Sequence, residues 1–276
     1  MMPRRLALSI CAAVLALGLA AGARDRFDDW IAATQLPRLD VPVGPEVLAR
    51  DGSLLRAFQV ADGRWRLDAG PVDPLFLDML TAWEDRRFEH HHGVDALALL
   101  RAGGQAVWHG RVVSGGSTLT MQVARLLEEG TTGVWGGKLR QFRLALALEQ
   151  RLSKAQIMGL YLRLAPYGGN VEGVRAASLQ WFGKEPRRLS PAQAALLVAL
   201  PQSPEARRPD RFPEAARAAS RSSSRSRMRP SLTWSTSLEK SRGLIGPAPR
   251  ARGRGSAGCR STRRRPPSGR WRSDPG

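Results

Sequence analysis

Apolar residues recur at three- and four-residue spacing in seven stretches of the chain, 75–84, 96–108, 118–128, 138–152, 154–162, 171–182 and 190–200, with Gly or Pro between them. That period lines up apolar side chains on one helical face, so it predicts seven helices and a mainly α domain. Ser190 and Pro191 suit an N-cap and a first helical residue, and Pro201 closes the stretch. Its sequence, AQAALLVAL, is apolar nearly all round, which predicts a core helix. Upstream, residues 41–67 alternate apolar and polar positions and are broken at Asp51-Gly52 and Asp62-Gly63. This pattern predicts a small N-terminal β-ribbon of two or three strands.

The two ends have different textures. Leu6 to Ala23 is a run of eighteen residues without a charge, preceded by Arg4 and Arg5. A bilayer is spanned by ~20 apolar residues, so residues 1–23 are expected to form one transmembrane helix, a signal anchor with a cytoplasmic N-terminus. The small residues of Ala20-Ala21-Gly22-Ala23 also suit cleavage, and a removed secretory signal is the alternative. On either reading residues 24 onward are exported, with 24–74 a membrane-proximal linker and ribbon. After the domain at 75–218, residues 219–276 are rich in Arg, Ser, Pro and Gly and lack a sustained apolar period. Such a tail is expected to be disordered. Its abrupt onset near residues 213–217 is what a one-base shift in a GC-rich reading frame yields.

Charge at first suggests a different partner. The formal net charge is +19, but fourteen Arg and Lys240, against Glu239 and Asp274, lie within 219–276. The basic signal therefore belongs to the tail, where Trp234 and Trp271 are the aromatic residues, and no nucleic-acid partner is expected. Cys11 and Cys259 are the two cysteines, one near each end, and predict neither a disulfide nor a cysteine-based metal site. His90, His91 and His92 are consecutive and do not converge on one centre from a helix, so no metal site is expected there.

Candidate chemistry is concentrated between Glu84 and Gln141, in EDRRFEHHHG, GGSTLTMQ and KLRQ. Taken alone, Glu84 suits a surface carboxylate beside Arg86 or Arg87. Gly115-Gly116-Ser117-Thr118 suits a loop entering a helix cap, and Lys138, Arg140 and Arg143 suit a solvated face.

The order of these strings changes their weight. Glu84, Asp85, Phe88, His91 and Gly93 match Glu-Asp-x-x-Phe-x-x-His-x-Gly, and Gly115 to Gln122 match Gly-Gly-Ser-Thr-x-Thr-Gln-Gln except at Met121. Lys138-Leu-Arg-Gln141, SKAQIMGLYL, APYGGNVEGVRAAS, WFGK and LSPAQAALLVALPQSP follow in order. From about Val43 to Ala218 the chain resembles the peptidoglycan glycosyltransferases (family 51) that form the N-terminal half of class A penicillin-binding proteins. Met121, KLRQ and DGRWRL are most similar to the penicillin-binding protein 1C branch. Gln156 and Arg163 depart from the family's Glu and Asn.

The resemblance implies a lysozyme-like fold and polymerisation of lipid II into glycan strands. Glu84 matches the general base, whose pKa partial burial would raise. Asp85, Phe88 and His91 match substrate-binding positions, with His91 also supporting the base. Ser117, Thr118 and Gln122 offer hydroxyl and amide groups to pyrophosphate or sugar. Lys138, Arg140 and Arg143 supply charge for the departing pyrophosphate. Gln141 stands where the family has a second carboxylate, implying one carboxylate assisted by cations. No cofactor is required on this reading, and Mg or Mn is optional.

Implied partners are lipid II, the growing glycan chain, the cytoplasmic membrane and other cell-wall synthesis enzymes. The implied location is a single-pass inner-membrane protein with a periplasmic domain. Ser237-Leu-Glu-Lys240 fits a transpeptidase Ser-x-x-Lys formally, but no Ser-x-Asn or Lys-Thr-Gly follows, so transpeptidase activity is not expected. The alternative is an impaired, truncated product acting as a cell-wall scaffold, because the helix after Pro213 is expected to be lost to the tail. A glycan hydrolase leaves GGSTLTMQ and KLRQ unexplained.

Overall fold

The computed structural model describes residues 4–110, 116–128 and 135–225. The chain begins with helix α1 (Arg4–Ala32) and an antiparallel ribbon of β1 (Glu46–Leu48) and β2 (Leu54–Ala57), with an irregularity between Val47 and Leu48. The turn joining β1 to β2 is held by Asp51, whose carboxylate accepts from the Ser53 amide at 2.9 Å and hydroxyl at 2.7 Å. The expected ribbon is therefore present as two strands.

The third candidate strand goes elsewhere. β3 (Trp65–Arg66) precedes helices α2 (Pro74–Glu84), α3 (Ala96–His109), α4 (Leu119–Leu127), α5 (Trp135–Arg151) and α6 (Lys154–Leu164). It then pairs in parallel with β4 (Val171–Glu172). Arg66 seals this pair by donating Nε and Nη2 to Glu172 Oε2 at 2.8 and 2.6 Å. The pairing joins residues more than a hundred positions apart, beyond the reach of local alternation.

Helices α7 (Val174–Phe182), α8 (Pro191–Ala199) and α9 (Pro213–Arg225) complete the element order. Caps explain several boundaries. Asp73 accepts from Leu75 N before α2, and Ser153 and Ser190 form reciprocal capping boxes with Gln156 and Gln193. Gln156, a departure from the family string, thus still fulfils the capping role. The expected core position of α8 is realised: Ala194, Ala195, Leu197 and Val198 are fully buried, and α2, α7 and α9 pack around it.

α9 corrects the expected boundary at 218 and the disordered tail from 219. Ala216, Ala219 and Ser223 are buried, and Ser223 Oγ donates to Ala195 O at 2.7 Å. Their spacing puts them on one helix face. Small Ala and Ser side chains let α9 approach α8 closely, but they carry too little hydrophobicity for an apolar period to reveal the helix. Residues 226–276, with the rest of the expected tail and Ser237-Lys240, lie outside the described residues.

Among the described residues no helix is long and apolar enough to cross a membrane. Part of the transmembrane helix expected at 1–23 lies outside the described residues, which omit residues 1–3 and several side chains up to position 10. The other end of α1 is fastened to the domain. Arg143 donates Nε and Nη2 to Trp30 O at 3.0 and 2.6 Å and lies 4.5 Å over the Trp30 ring.

Candidate functional site

Glu84 is the last residue of α2, and Asp85 caps the helix through its N–H to Thr81 O. The backbone leaves helical geometry at Asp85, with φ −158° and ψ 80°, so two consecutive carboxylates serve different surroundings. Glu84 faces two clefts. Its Oε2 accepts from Gln122 Nε2 and its Oε1 from Gln202 Nε2, each at 2.9 Å. Gln202 is steadied in turn by Arg207, whose Nη1 donates to Gln202 Oε1 at 3.1 Å and to Ala199 O at 2.6 Å.

Asp85 is turned inward. Its Oδ2 accepts from Leu119 N, in the first turn of α4, and pairs with His91 Nε2, both at 2.9 Å. Asp85 and His91 are buried, and a carboxylate partner assigns the proton to Nε2 of the ring. Phe88 is buried beneath the Lys154 ammonium, 4.6 Å from its ring centre. Lys154 also donates to His91 O at 2.6 Å and to Glu149 Oε1 at 2.7 Å. The first sequence motif is therefore chiefly a buried brace that fixes where α2 ends.

Gly93 belongs to the same brace. Its φ is +90°, and a Cβ there would lie 2.6 Å from Ala145 O, so both conformation and space require glycine. Its carbonyl accepts from Thr118 Oγ1 at 2.6 Å, while Thr118 Oγ1 caps α4 by accepting from Met121 N at 3.1 Å.

One cleft of about 480 Å³ is lined by Glu84, Ser117, Gln122, Arg125, Lys138 and Gln141, among others. A second, about 940 Å³, lies against Glu84, Asp85, Arg86, Arg87, Arg101 and Ser117. Glu84, Ser117 and Gln202 line both. In the first cleft Lys138 Nζ donates to Ser117 Oγ at 2.7 Å. Burial, and then the charge of Arg125, hold the Lys138 ammonium below its ordinary pKa. The result is one carboxylate with two cations, a hydroxyl and three amides, a set suited to a polyanionic ligand beside a base.

The structure thus brings together Glu84, Ser117, Gln122, Lys138 and Gln141 from the sequence candidates. Several others have different places. Phe88 is core, and His91 lines neither cleft. Asp85 and Thr118 line the second cleft, with their polar atoms engaged by the protein. Arg140 is exposed and lines neither cleft, and Arg143 is spent on Trp30. The reason is helical geometry: positions two and five beyond Lys138 turn away from its face of α5. Gly115 lies outside the described residues.

Three site residues were missed in the sequence. Arg125 follows Gln122 by three positions and Met121 by four on α4, so helical spacing alone could have found it. Gln202 lies within the LSPAQAALLVALPQSP string, whereas Arg207 carries no local signal; both reach the site through the turn after α8. Among the described residues there is no group of three side chains arranged to hold a metal ion. Behind the site, Tyr161 and Tyr167 are fully buried with hydroxyls lacking a protein partner among the described residues. Burial, and then the charge of Glu84, push both phenols up.

Comparison with known proteins gives this arrangement a lineage. Residues 51–228 match the family model described as Transglycosylase. The chain belongs to the transglycosylase family. The matched span contains Glu84, both clefts and α9, so the transglycosylase domain runs past position 218.

The chain is 46% identical over 214 residues to "Penicillin-binding protein 1C" of Escherichia coli (strain K12), covering 77% of this chain and 27% of the relative. It is 39% identical over 175 residues to "Penicillin-binding protein 1A" of Aquifex aeolicus (strain VF5), with 63% and 24% covered. Against "Penicillin-binding protein 2D" of Bacillus subtilis (strain 168) it is 34% identical over 175 residues, with 61% and 24% covered. The chain thus spans about a quarter of the length of these relatives.

Proposed function

We propose that this chain is a peptidoglycan glycosyltransferase, extending glycan strands from lipid II, and that Glu84 is its general base. The observation that carries the reading is the position of Glu84 where two clefts meet, its carboxylate oriented by Gln122 and Gln202. One cleft can hold the growing chain and the other the incoming sugar. Reacting groups from two substrates then meet at one carboxylate, which lowers the entropic part of the barrier.

The acceptor's sugar hydroxyl loses its proton to Glu84 as its oxygen bonds to the anomeric carbon of the growing chain. The bond from that carbon to the lipid pyrophosphate breaks, and its electron pair leaves on the pyrophosphate oxygen. Glu84 then returns the proton to solvent. Negative charge grows on the leaving group, and the cationic cleft supplies Lys138 and Arg125, with Ser117 to bind phosphate oxygens. Gln141 is an amide and contributes a hydrogen bond without titrating. Charge neutralisation by the two cations requires no cofactor, with Mg or Mn an optional addition.

The uncharged run at Leu6 to Ala23 supports work at the outer face of the cytoplasmic membrane, held there by an N-terminal anchor. On this reading lipid II and the glycan chain are the substrates, and other cell-wall synthesis enzymes act alongside. Transpeptidation forms no part of the proposed activity. The scaffold alternative loses its chief support, because α9 is folded onto α8. The test is incubation of the purified full chain with labelled lipid II. Polymer is expected, and its absence with wild-type protein that melts cooperatively overturns the reading.

A further inference from the structure

Arg143 follows the KLRQ string by two positions, yet it lines neither cleft and its contacts run to the N-terminal helix. α1 ends at Ala32, and a helix end leaves its last carbonyls without partners inside the helix. The Asp29 and Ile31 carbonyls accept from the N–H groups of Ala33 and Thr34, each at 2.9 Å. Those of Trp30 and Ala32 are taken by arginines of α5. Arg143 gives two donors to Trp30 O, while Arg151 donates Nη2 to Ala32 O at 2.8 Å and Nη1 to Thr34 O at 3.2 Å. Guanidinium groups suit this place, since the C-terminal end of a helix carries partial negative charge. The Arg143 cation also lies over the Trp30 ring, and Ile31 beside it is buried. Hydrogen bonds, charge and apolar burial thus make the junction a fixed joint.

A joint at this place bears on Lys138. The same helix α5 carries Lys138 into the first cleft, five positions before Arg143 and about 140° around the helix from it. α1 therefore holds α5 from a side away from the cleft. Before the buried Gln141 the helix stands proud of the core, with Gly136, Lys138, Leu139 and Arg140 exposed. Gly136 and Gly137 weaken that end further, because glycine is a poor helix former. Lys138 Nζ reaches Ser117 Oγ at 2.7 Å, so a small swing of the helix end would break that bond and move the ammonium. α4 packs along α5 as well, so losing the joint loosens this end without unfolding the domain.

We propose that Arg143 is a positioning residue for Lys138: by locking the C-terminal end of α1 to α5, it holds the ammonium where the departing pyrophosphate needs it. The N-terminal helix is then a working part of the cleft as well as a tether. This inference rests on the glycosyltransferase reading, so its test has an arm that needs no turnover.

In that arm, hydrogen exchange is followed by mass spectrometry on the full chain, as wild type, Arg143→Ala and Arg143→Lys. Exchange across residues 139–144 is expected to speed up about tenfold in Arg143→Ala with α6 and α8 unchanged, the mark of local opening. Arg143→Lys keeps a cation and a single donor, so an intermediate rate is expected. With lipid II, Arg143→Ala is expected to lower kcat and kcat/KM together by about fivefold, as for an interaction made in the transition state. In a Lys138→Met background the same substitution is expected to lower kcat by less than about twofold, because residues that act through one another are not additive.

Unchanged exchange at 139–144 overturns the proposal, and so does a rise spread equally over α6 and α8, which marks general loosening. Equal losses of kcat with and without Lys138 overturn it too, since Arg143 then acts independently of the ammonium. If Arg143→Ala fails to fold, Arg143→Lys and Trp30→Ala are read by the same criteria. If wild type makes no polymer from lipid II, the glycosyltransferase reading fails, while exchange still decides whether α1 steadies the Lys138 end of α5.

Discussion

Gln202 Nε2 donates to Glu84 Oε1 at 2.9 Å across 118 positions of chain. With Gln122 on the other oxygen, it fixes the direction of a carboxylate that α2 alone would leave free to rotate. Removing one donor should therefore affect chemistry more than folding. Gln202→Ala is expected to lower kcat for lipid II polymerisation about tenfold, the scale of one hydrogen bond to a charged group. KM and melting temperature should stay within error, as steady-state kinetics and calorimetry would show.

Glu84→Gln keeps the shape and a hydrogen-bonding end but cannot take a proton. Polymerisation is expected to fall by about 10²–10⁴-fold, the usual contribution of a general base. Circular dichroism and thermal melting should match wild type. A variant with normal polymerisation would remove Glu84 from that role.

Lys138 links the cleft to pH. Burial, and then Arg125, hold its folded-state pKa below the ordinary lysine value of 10.5. Its charge is thus lost at lower pH in the folded protein than in the unfolded chain. Between those two values the unfolded chain binds more protons, so this group's contribution to stability rises with pH across the window. Activity should do the opposite and decline as the charge is lost. In Lys138→Arg the alkaline limb of the pH–rate profile should move upward, because guanidinium keeps its proton.

Asp85 tests the buried brace. Its carboxylate serves His91 Nε2 and Leu119 N at once, and both donors are buried. Asp85→Ala is expected to destabilise the fold by about 3 kcal/mol, since it strands two donors away from water. His91→Ala, which leaves the Leu119 bond in place, should cost less. Chemical denaturation of the two variants would rank them.

The end of the domain can be tested by truncation. A chain stopping at 218 loses Ala219 and Ser223 from the face packed on α8, including the bond to Ala195 O. Its melting temperature is expected to drop by several degrees, as for a loss of about 1–2 kcal/mol. A chain stopping at 228 should melt like the full protein if the remaining tail contributes nothing to stability.

Local rules accounted for much of this protein. The periods of 75–84, 96–108 and 154–162 became α2, α3 and α6 within a residue or two, because apolar spacing and nearby caps act over a few positions. Ser190 with Pro191 marked the start of α8 for the same reason. The resemblance singled out Glu84, Ser117, Gln122, Lys138 and Gln141, and the fold gathers them around one cleft. Tertiary structure decided the rest. Gln202 reached the carboxylate, and Arg207 reached Gln202, only because the turn after α8 returns to the end of α2. Phe88 and Arg143, equally prominent in the motifs, were directed to the core and to Trp30. The small residues of α9 found a partner that no apolar period announces. A side chain's type states which bonds it can make, whereas the partner it meets depends on the packing of distant segments.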